Sequence, residues 1–241
     1  SDIALTAMTD GPFGQGWSWS YGMDVEEGPG GWVAKVVQES GAVAPFVSDG
    51  AGGWLAPDRV QATLTENPDG SWTFVRNGRD RFDFANDGKL TAITDLNGYS
   101  TTLGYDATTG KLETVTDETN RTVADGPNRT LTVAWGGDRI ASITDSTSLA
   151  RVVTYEYDAD GQLVLVTDEG GGEWGYGYDS SGGHLLEWAT DPKQTGKPSP
   201  ARLSNTYDSS GRVTLQTDRA GKTTTFYYTS VVGATIVTDP D

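Results

Sequence analysis

Over much of the chain, apolar and polar positions alternate in short runs that close on an aromatic residue. Examples are Leu131, Val133, Trp135; Val153, Tyr155, Tyr157; and Trp174, Tyr176, Tyr178. A period of two marks a strand with one buried face. In the best copies an Asp-x-x-Gly turn follows. Asp folds its carboxylate back onto backbone N–H groups, and Gly supplies a positive φ that other residues resist. A second strand then runs to a Thr-Asp pair, where another Gly- or Asn-containing turn begins, as at Asn97-Gly98, Gly170-Gly171 and Ala220-Gly221. Two strands of about seven residues with their two turns make a unit of about 21 residues.

This unit recurs seven times between residues 84 and 239. The aromatics that end the first strands are Phe84, Tyr105, Trp135, Tyr157, Tyr178, Tyr207 and Tyr228, separated by steps of 21, 30, 22, 21, 29 and 21. Asp106, Asp158, Asp179 and Asp208 are the expected turn acids, and Gly88, Gly110, Gly161, Gly182 and Gly211 the expected turn glycines. Insertions at 118–130 and 192–202 account for the long steps. Aromatics three copies apart differ by 71 to 73 residues, so about three hairpins are expected per superhelical turn, with both insertions on one edge.

The second strands break simple alternation. Their main apolar pairs lie three apart: Leu90/Ile93, Leu112/Val115, Ile140/Ile143 and Leu163/Val166. A regular strand would put these on opposite faces. Either a bulge resets the pleat, the expectation preferred here, or both faces are covered.

Residues 1–78 differ in kind. They hold five of the eight Trp, among Gly-rich turns and strand-like runs at 32–37, 44–47, 62–65 and 71–75. The expected organisation is a β-rich cap over 1–78, whose aromatics cover the first exposed edge, followed by a hairpin array over 79–241.

Composition narrows the function. With 34 acids against 17 Lys and Arg, the formal charge of −17 argues against nucleic acid and anionic membranes. Zero Cys removes disulfides, thiol catalysis and Cys-ligated metals. There is no apolar run long enough to span a membrane and no charged-then-apolar start, so neither membrane insertion nor a signal peptide is expected. The abrupt ends at Ser1 and Asp241 read as a piece of something longer.

The stretches "YDADGQL" and "YDSSGRV", each followed by a Thr-Asp turn, resemble the Rhs/YD repeat of bacterial proteins, and "GPFGQGWSWSY" (11–21) is similar to the segment preceding the repeats in wall-associated and polymorphic-toxin members. The resemblance implies an all-β fold: a spiralling antiparallel sheet, or β-solenoid, of about seven hairpins with an N-terminal β cap. It implies a non-enzymatic scaffold, secreted or on the bacterial cell surface, serving as a stalk or part of an encapsulating shell. The implied partners are neighbouring repeats, cell-wall or host glycans, or an encapsulated C-terminal domain. Family shells carry many more repeats and a C-terminal core segment, so an open curved sheet or narrow solenoid stands beside the shell.

No catalytic residue, metal ligand or cofactor is expected. Tyr157-Asp158 reads as a structural stamp, because the acid is missing in the third copy and replaced by Thr229 in the seventh. His184, the single histidine, lies in a turn without a nucleophile elbow. The pair Asp158/Asp160 is expected by chance among so many acids, and as the start of a Ca²⁺ loop it is followed by the strand residues Val164 and Val166. The alternative function is carbohydrate binding or adhesion by exposed Tyr and Trp, with Trp17, Trp19, Trp32 and Trp54 as candidates. The plainer expectation is that these Trp fill the cap's core.

Overall fold

The computed structural model describes residues 10–117, 128–146, 151–180, 184–194, 196–197, 200–229 and 235–239. Among these the regular structure is β, apart from the 3-10 turns Pro29–Gly31 and Pro192–Gln194. A short hairpin comes first, β1 (Asp10–Gly11) with β2 (Gly14–Gln15). A four-stranded sheet follows: β3 (Asp24–Glu27), β4 (Val33–Val37), β5 (Val43–Ser48) and β6 (Trp54–Leu55).

All later strands join one sheet of sixteen. It opens with β7 (Ala62–Glu66), β8 (Trp72–Arg76), β9 (Asp80–Phe84), β10 (Leu90–Thr94), β11 (Ser100–Tyr105) and β12 (Leu112–Asp117). It continues through β13 (Thr130–Gly136), β14 (Arg139–Asp145), β15 (Arg151–Tyr157), β16 (Leu163–Thr167) and β17 (Glu173–Tyr178). Its last members are β18 (Leu186–Ala189), β19 (Leu203–Tyr207), β20 (Val213–Thr217), β21 (Thr223–Tyr228) and β22 (Thr235–Thr238). Strand order follows chain order throughout, giving an antiparallel meander that is not a closed barrel. The seven expected hairpins are β9–β10 through β21–β22. Both insertions join one hairpin to the next, which places them on the same edge of the meander; most of the first lies outside the described residues.

The sheet begins before residue 79. β7 and β8 form one further hairpin across the turn Asn67-Pro68-Asp69-Gly70. The loop Asn77-Gly78-Arg79, with φ of 55° and 64° at its first two residues, then turns β8 into β9. Both φ values suit the primed turn that matches strand twist. By compactness the chain forms two units. One gathers residues up to Gly16, Trp135–Ser142 and Val152–Asp241; the other gathers Trp17–Ala134 and Ile143–Arg151.

The three-residue apolar spacing has a pairing cause. In β10, Leu90 faces Phe84 while Ala92 faces Asp83, so Thr91 is an extra residue and Ile93 comes to face Phe82. The same slip separates Gly104 from Tyr105, Glu156 from Tyr157, Gly177 from Tyr178 and Thr206 from Tyr207. One inserted residue turns the pleat by one step, so residues i and i+3 share a face. In the seventh copy the pairing of β21 with β22 runs without a slip.

In the unit holding the four-stranded sheet, Val25, Ala34, Val36, Ala44 and Phe46 are buried from the cap side, and Phe74, Phe82, Phe84 and Leu90 from the large sheet. Phe46 meets Phe74 edge-on at 6.1 Å between ring centroids. The buried residues on the four-stranded sheet are aliphatic and Phe, and Trp72 of β8 is buried as well. Trp17, Trp19 and Trp54 are half-buried, and Trp32 is 66% exposed.

Candidate functional site

The repeated feature nearest to a site is the aromatic at the end of each first strand, with the turn and bulge beside it. Tyr105, Tyr157, Tyr178, Tyr207 and Tyr228 all use the hydroxyl in one way. Each donates to a backbone carbonyl of the preceding copy: Leu90 at 2.7 Å, Ile140 at 2.8 Å, Leu163 at 2.8 Å, Leu186 at 2.6 Å and Val213 at 2.8 Å. Where the pairing is described, the acceptor is the residue facing the previous copy's aromatic: Leu90 faces Phe84, Leu163 faces Tyr157, Leu186 faces Tyr178, and Val213 faces Tyr207. The bulge interrupts the ladder just after that residue, and the next copy's hydroxyl takes up the carbonyl there. Phe84 and Trp135 stand in the same series without a hydroxyl. Phe84 is buried and Trp135 half-buried.

Burial raises the pKa of several tyrosines of the array. Tyr105 is pushed up to about 12, with the Asp87 charge adding to burial. Tyr155, Tyr157, Tyr176 and Tyr207 move the same way for the same leading reason. These phenols stay protonated donors across the physiological range, unlike a catalytic base tuned toward neutrality.

The turn acids cap their own loops. Asp158 Oδ1 accepts the amides of Asp160 (3.0 Å) and Gln162 (2.9 Å), and Asp208 Oδ1 those of Ser210 (2.9 Å) and Arg212 (3.0 Å). Asp106 takes Thr108 and Thr109, and Asp179 takes Leu185. The Arg212 side chain, then its amide, holds the Asp208 carboxyl below its ordinary value; for Asp106 the Thr109 amide leads. Gly88, Gly110, Gly161 and Gly211 all have positive φ, between 66° and 84°; Gly182 lies outside the described residues. Each loop is a tight turn closed by a left-handed residue.

The opposite edge uses the same device, and here the sequence reading fell short. The acids of the Thr-Asp pairs are also caps: Asp95 for Asn97 and Tyr99, Asp168 for Gly170 and Gly172, Asp218 for Ala220 and Lys222. The signal was available, since each begins its own Asp-x-x-Gly: Asp95 to Gly98, Asp168 to Gly171, Asp218 to Gly221. Asp145 departs from the pattern. It is buried and takes the Arg129 guanidinium in two bonds.

Two docking contacts were not foreseen. In one unit the Gly11-Pro12-Phe13-Gly14 loop sits on the third and fourth copies. Pro12 O accepts from the Ile140 amide at 3.0 Å and from Tyr157 Oη at 3.3 Å; Arg139 reaches Gly11 O, Asp10 and Gly161 O; and Phe13 meets Tyr155 edge-on at 4.8 Å. In the other unit the Val25 amide donates to Gly88 O at 3.0 Å, and Asp24 bridges to Lys89. A Cβ on Gly88 would lie 2.1 Å from Val25 O, so only glycine fits. Asp24 is half-buried, its Oδ1 has no hydrogen-bond partner, and burial and then Glu26 raise its pKa to about 6.

Of the remaining candidates, Trp54 tilts against Trp72 at 5.4 Å and Trp19 lies edge-on to Tyr21 at 5.8 Å. Trp17 is half-buried beside them in sequence, and Trp32 stands out from the start of β4. His184 has a left-handed φ of 55° and a buried Nδ1 without a partner. Among the described residues no group of three or more His, Cys, Asp or Glu is placed to hold a metal.

A family model described as RHS Repeat matches residues 157–195. Among curated proteins no significant match is found. Solved structures that align include TcdB2-TccC3 without its hypervariable C-terminal region (TM-score 0.40, 14% identity) and the Photorhabdus luminescens Tc holotoxin pore (TM-score 0.36, 13% identity). Each alignment covers 85% of this chain and 14% of the other, so the chain spans about a seventh of those proteins. A porin-like protein from Bacteroides uniformis aligns over 95% of this chain and 97% of its own, with TM-score 0.32 and 12% identity. Alignments this loose add nothing to the strand pairing described above. The matched segment spans the fourth and fifth copies, so residues 157–195 are similar to the RHS (YD) repeat, and the same sequence stamp recurs on both sides of them.

Proposed function

We propose that this chain is a non-enzymatic β-scaffold module of a secreted or surface-displayed bacterial YD-repeat protein, a stalk segment or a section of an encapsulating shell. The observation that carries the reading is that the chemistry recurring from copy to copy is used by the fold itself. Five tyrosine hydroxyls are bound to carbonyls of preceding copies, and the turn carboxylates are bound to their own loop amides. A catalytic pair needs a free proton-accepting group facing a cleft. Here Tyr157 and Asp158 each already hold structural partners.

Parallel measurement of stability and ligand capture tests this. Tyr178→Phe and Asp158→Ala should lower the unfolding midpoint and leave no binding or turnover to lose. A variant that kept full stability while abolishing a measured activity would defeat the scaffold reading. The exposed Trp32 supports the second reading, a glycan-binding module, because a bare indole offers a stacking face. Capture of cell-wall or host glycans that Trp32→Ala removes would favour it.

A further inference from the structure

We propose that Asn77-Gly78, in the loop between β8 and β9, is a site of self-modification: the Gly78 amide attacks the Asn77 side chain, and water completes its conversion to aspartate or isoaspartate. The inference is independent of the scaffold reading, since it rests on which backbone amides the turns hold.

The reaction needs a side-chain carboxamide, a following backbone N–H that no acceptor holds, and no side chain on that following residue to block the approach. Asn-Gly supplies the carboxamide and the bare α-carbon wherever it occurs, and it occurs twice, at Asn77-Gly78 and Asn97-Gly98. The fold separates the two by what their amides do. At Asn97 both reacting groups are tied to Asp95. The Gly98 amide donates to Asp95 O at 3.1 Å, and the Asn97 carboxamide donates to Asp95 Oδ2 at 3.4 Å. Asp95 Oδ1 also holds the Asn97 amide, at 2.8 Å. Asp-Gly pairs in other turns, which cyclise by the same attack, are masked alike: the Gly70 amide donates to Asn67 O, Gly88 to Ala85 O and Gly161 to Asp158 O. The bond that closes each of these turns covers the glycine amide.

The Asn77 loop is closed differently. Its bonds are Arg79 N to Arg76 O at 3.0 Å and Asn77 N to Gln61 O at 2.7 Å, which pass over the Gly78 amide. Among the described residues neither that amide nor the Asn77 carboxamide has a hydrogen-bond partner. Asn77, Gly78 and Arg79 are exposed, and a Cβ built on Gly78 would meet nothing within 4 Å. The cation of Arg79, next in the chain, favours the amide anion that attacks.

The Gly78 nitrogen gives its proton to solvent and bonds Asn77 Cγ. The tetrahedral centre expels Nδ2 as ammonia and leaves a succinimide. Water then opens the ring at either carbonyl. One opening restores the backbone with an aspartate at this position; the other routes the chain through the side chain and lengthens the loop by a methylene. Either product adds a negative charge, and the balance is one water taken up for one ammonia released.

The test incubates the full chain in mildly alkaline buffer, then maps its peptides by mass spectrometry for the amide-to-acid mass gain and the separately eluting isoaspartyl form. In the folded protein Asn77 should convert at least ~10-fold faster than Asn97, given about fivefold for each net hydrogen bond that must open at Asp95. In urea the two rates should converge, because both sites are then Asn-Gly in an open chain. Asp95→Ala should speed conversion at Asn97 and leave Asn77 unchanged, with circular dichroism checking that the sheet persists. Should that variant unfold, the folded-against-urea comparison still decides. Asn77 converting no faster than Asn97 in the folded protein would overturn the proposal. A preference for Asn77 that persists undiminished in urea would overturn it too, by assigning the difference to neighbouring residues rather than to the fold.

Discussion

Replacing Asp24 by Asn should stabilise the protein at neutral pH and cease to do so in acid. The carboxyl stands where the cap strand meets the first repeat's turn. Lys89 lies across the bridge, but its ammonium is 2.9 Å from Asp87, and Glu26 on the same strand adds a like charge. The folded protein therefore prefers the protonated form, with the pKa raised from 3.8 to about 6. At about 1.4 kcal/mol for each tenfold change in proton affinity, the charged form carries an upper-bound cost of ~3 kcal/mol. Only half-buried, the group is partly screened by water, and ~1–1.5 kcal/mol is the working figure. The sign follows from linkage. Between pH ~4 and ~6 the folded state binds the extra proton, so stability falls as pH rises through that window and the whole cost stands above it. Urea denaturation of wild type and Asp24→Asn at pH ~7.5 and ~4 measures the difference. Asn should gain at the higher pH and show no gain at the lower. Equal stability at pH ~7.5, or a gain that persists undiminished at pH ~4, would refute the argument.

The turn caps predict a smaller effect. Asp158→Ala should cost about 0.5–2 kcal/mol, read as a lower denaturant midpoint at unchanged slope. Gly88→Ala should be worse, at least ~2 kcal/mol, because a left-handed φ of 84° and the Val25 carbonyl both oppose a Cβ; thermal melting will show it. Raising the pH tests the hydroxyls. Tyr105, with its pKa pushed to about 12, lends stability that is intact below pH ~10 and is lost as pH climbs toward 12, so tyrosinate absorbance should rise together with loss of β circular dichroism.

Much of the fold was legible because each hairpin is locally determined. Alternation gave the strands, Asp-x-x-Gly gave the turns, and the Leu90/Ile93 spacing pointed to a bulge before any pairing was known. What the sequence concealed was non-local. Nothing local in Tyr178 says that its hydroxyl reaches Leu163, since that depends on how one hairpin lies on the last. The roles of Pro12 and Gly88 likewise emerge only when distant segments meet. The first hairpin of the sheet was absorbed into the cap because Trp72 and Trp54 coloured that region as Trp-rich, although Asn67-Pro68-Asp69-Gly70 is a turn of the repeat type. Of the Trp expected in the cap core, Trp17, Trp19 and Trp54 are only half-buried and Trp32 is exposed, because the inward positions of β4 and β5 are taken by Ala34, Val36, Ala44 and Phe46.

The central claim is that a tyrosine hydroxyl hangs each hairpin on the one before it. The most direct measurement replaces Tyr105, Tyr157, Tyr178, Tyr207 and Tyr228 together with Phe and compares urea unfolding with the wild type. Phe keeps the ring and removes only the donor, and the sites belong to separate copies, so losses of about 1 kcal/mol each should add to roughly 5 kcal/mol. An unfolding free energy that falls by about 5 kcal/mol agrees with the account. A fivefold variant as stable as the wild type would contradict it.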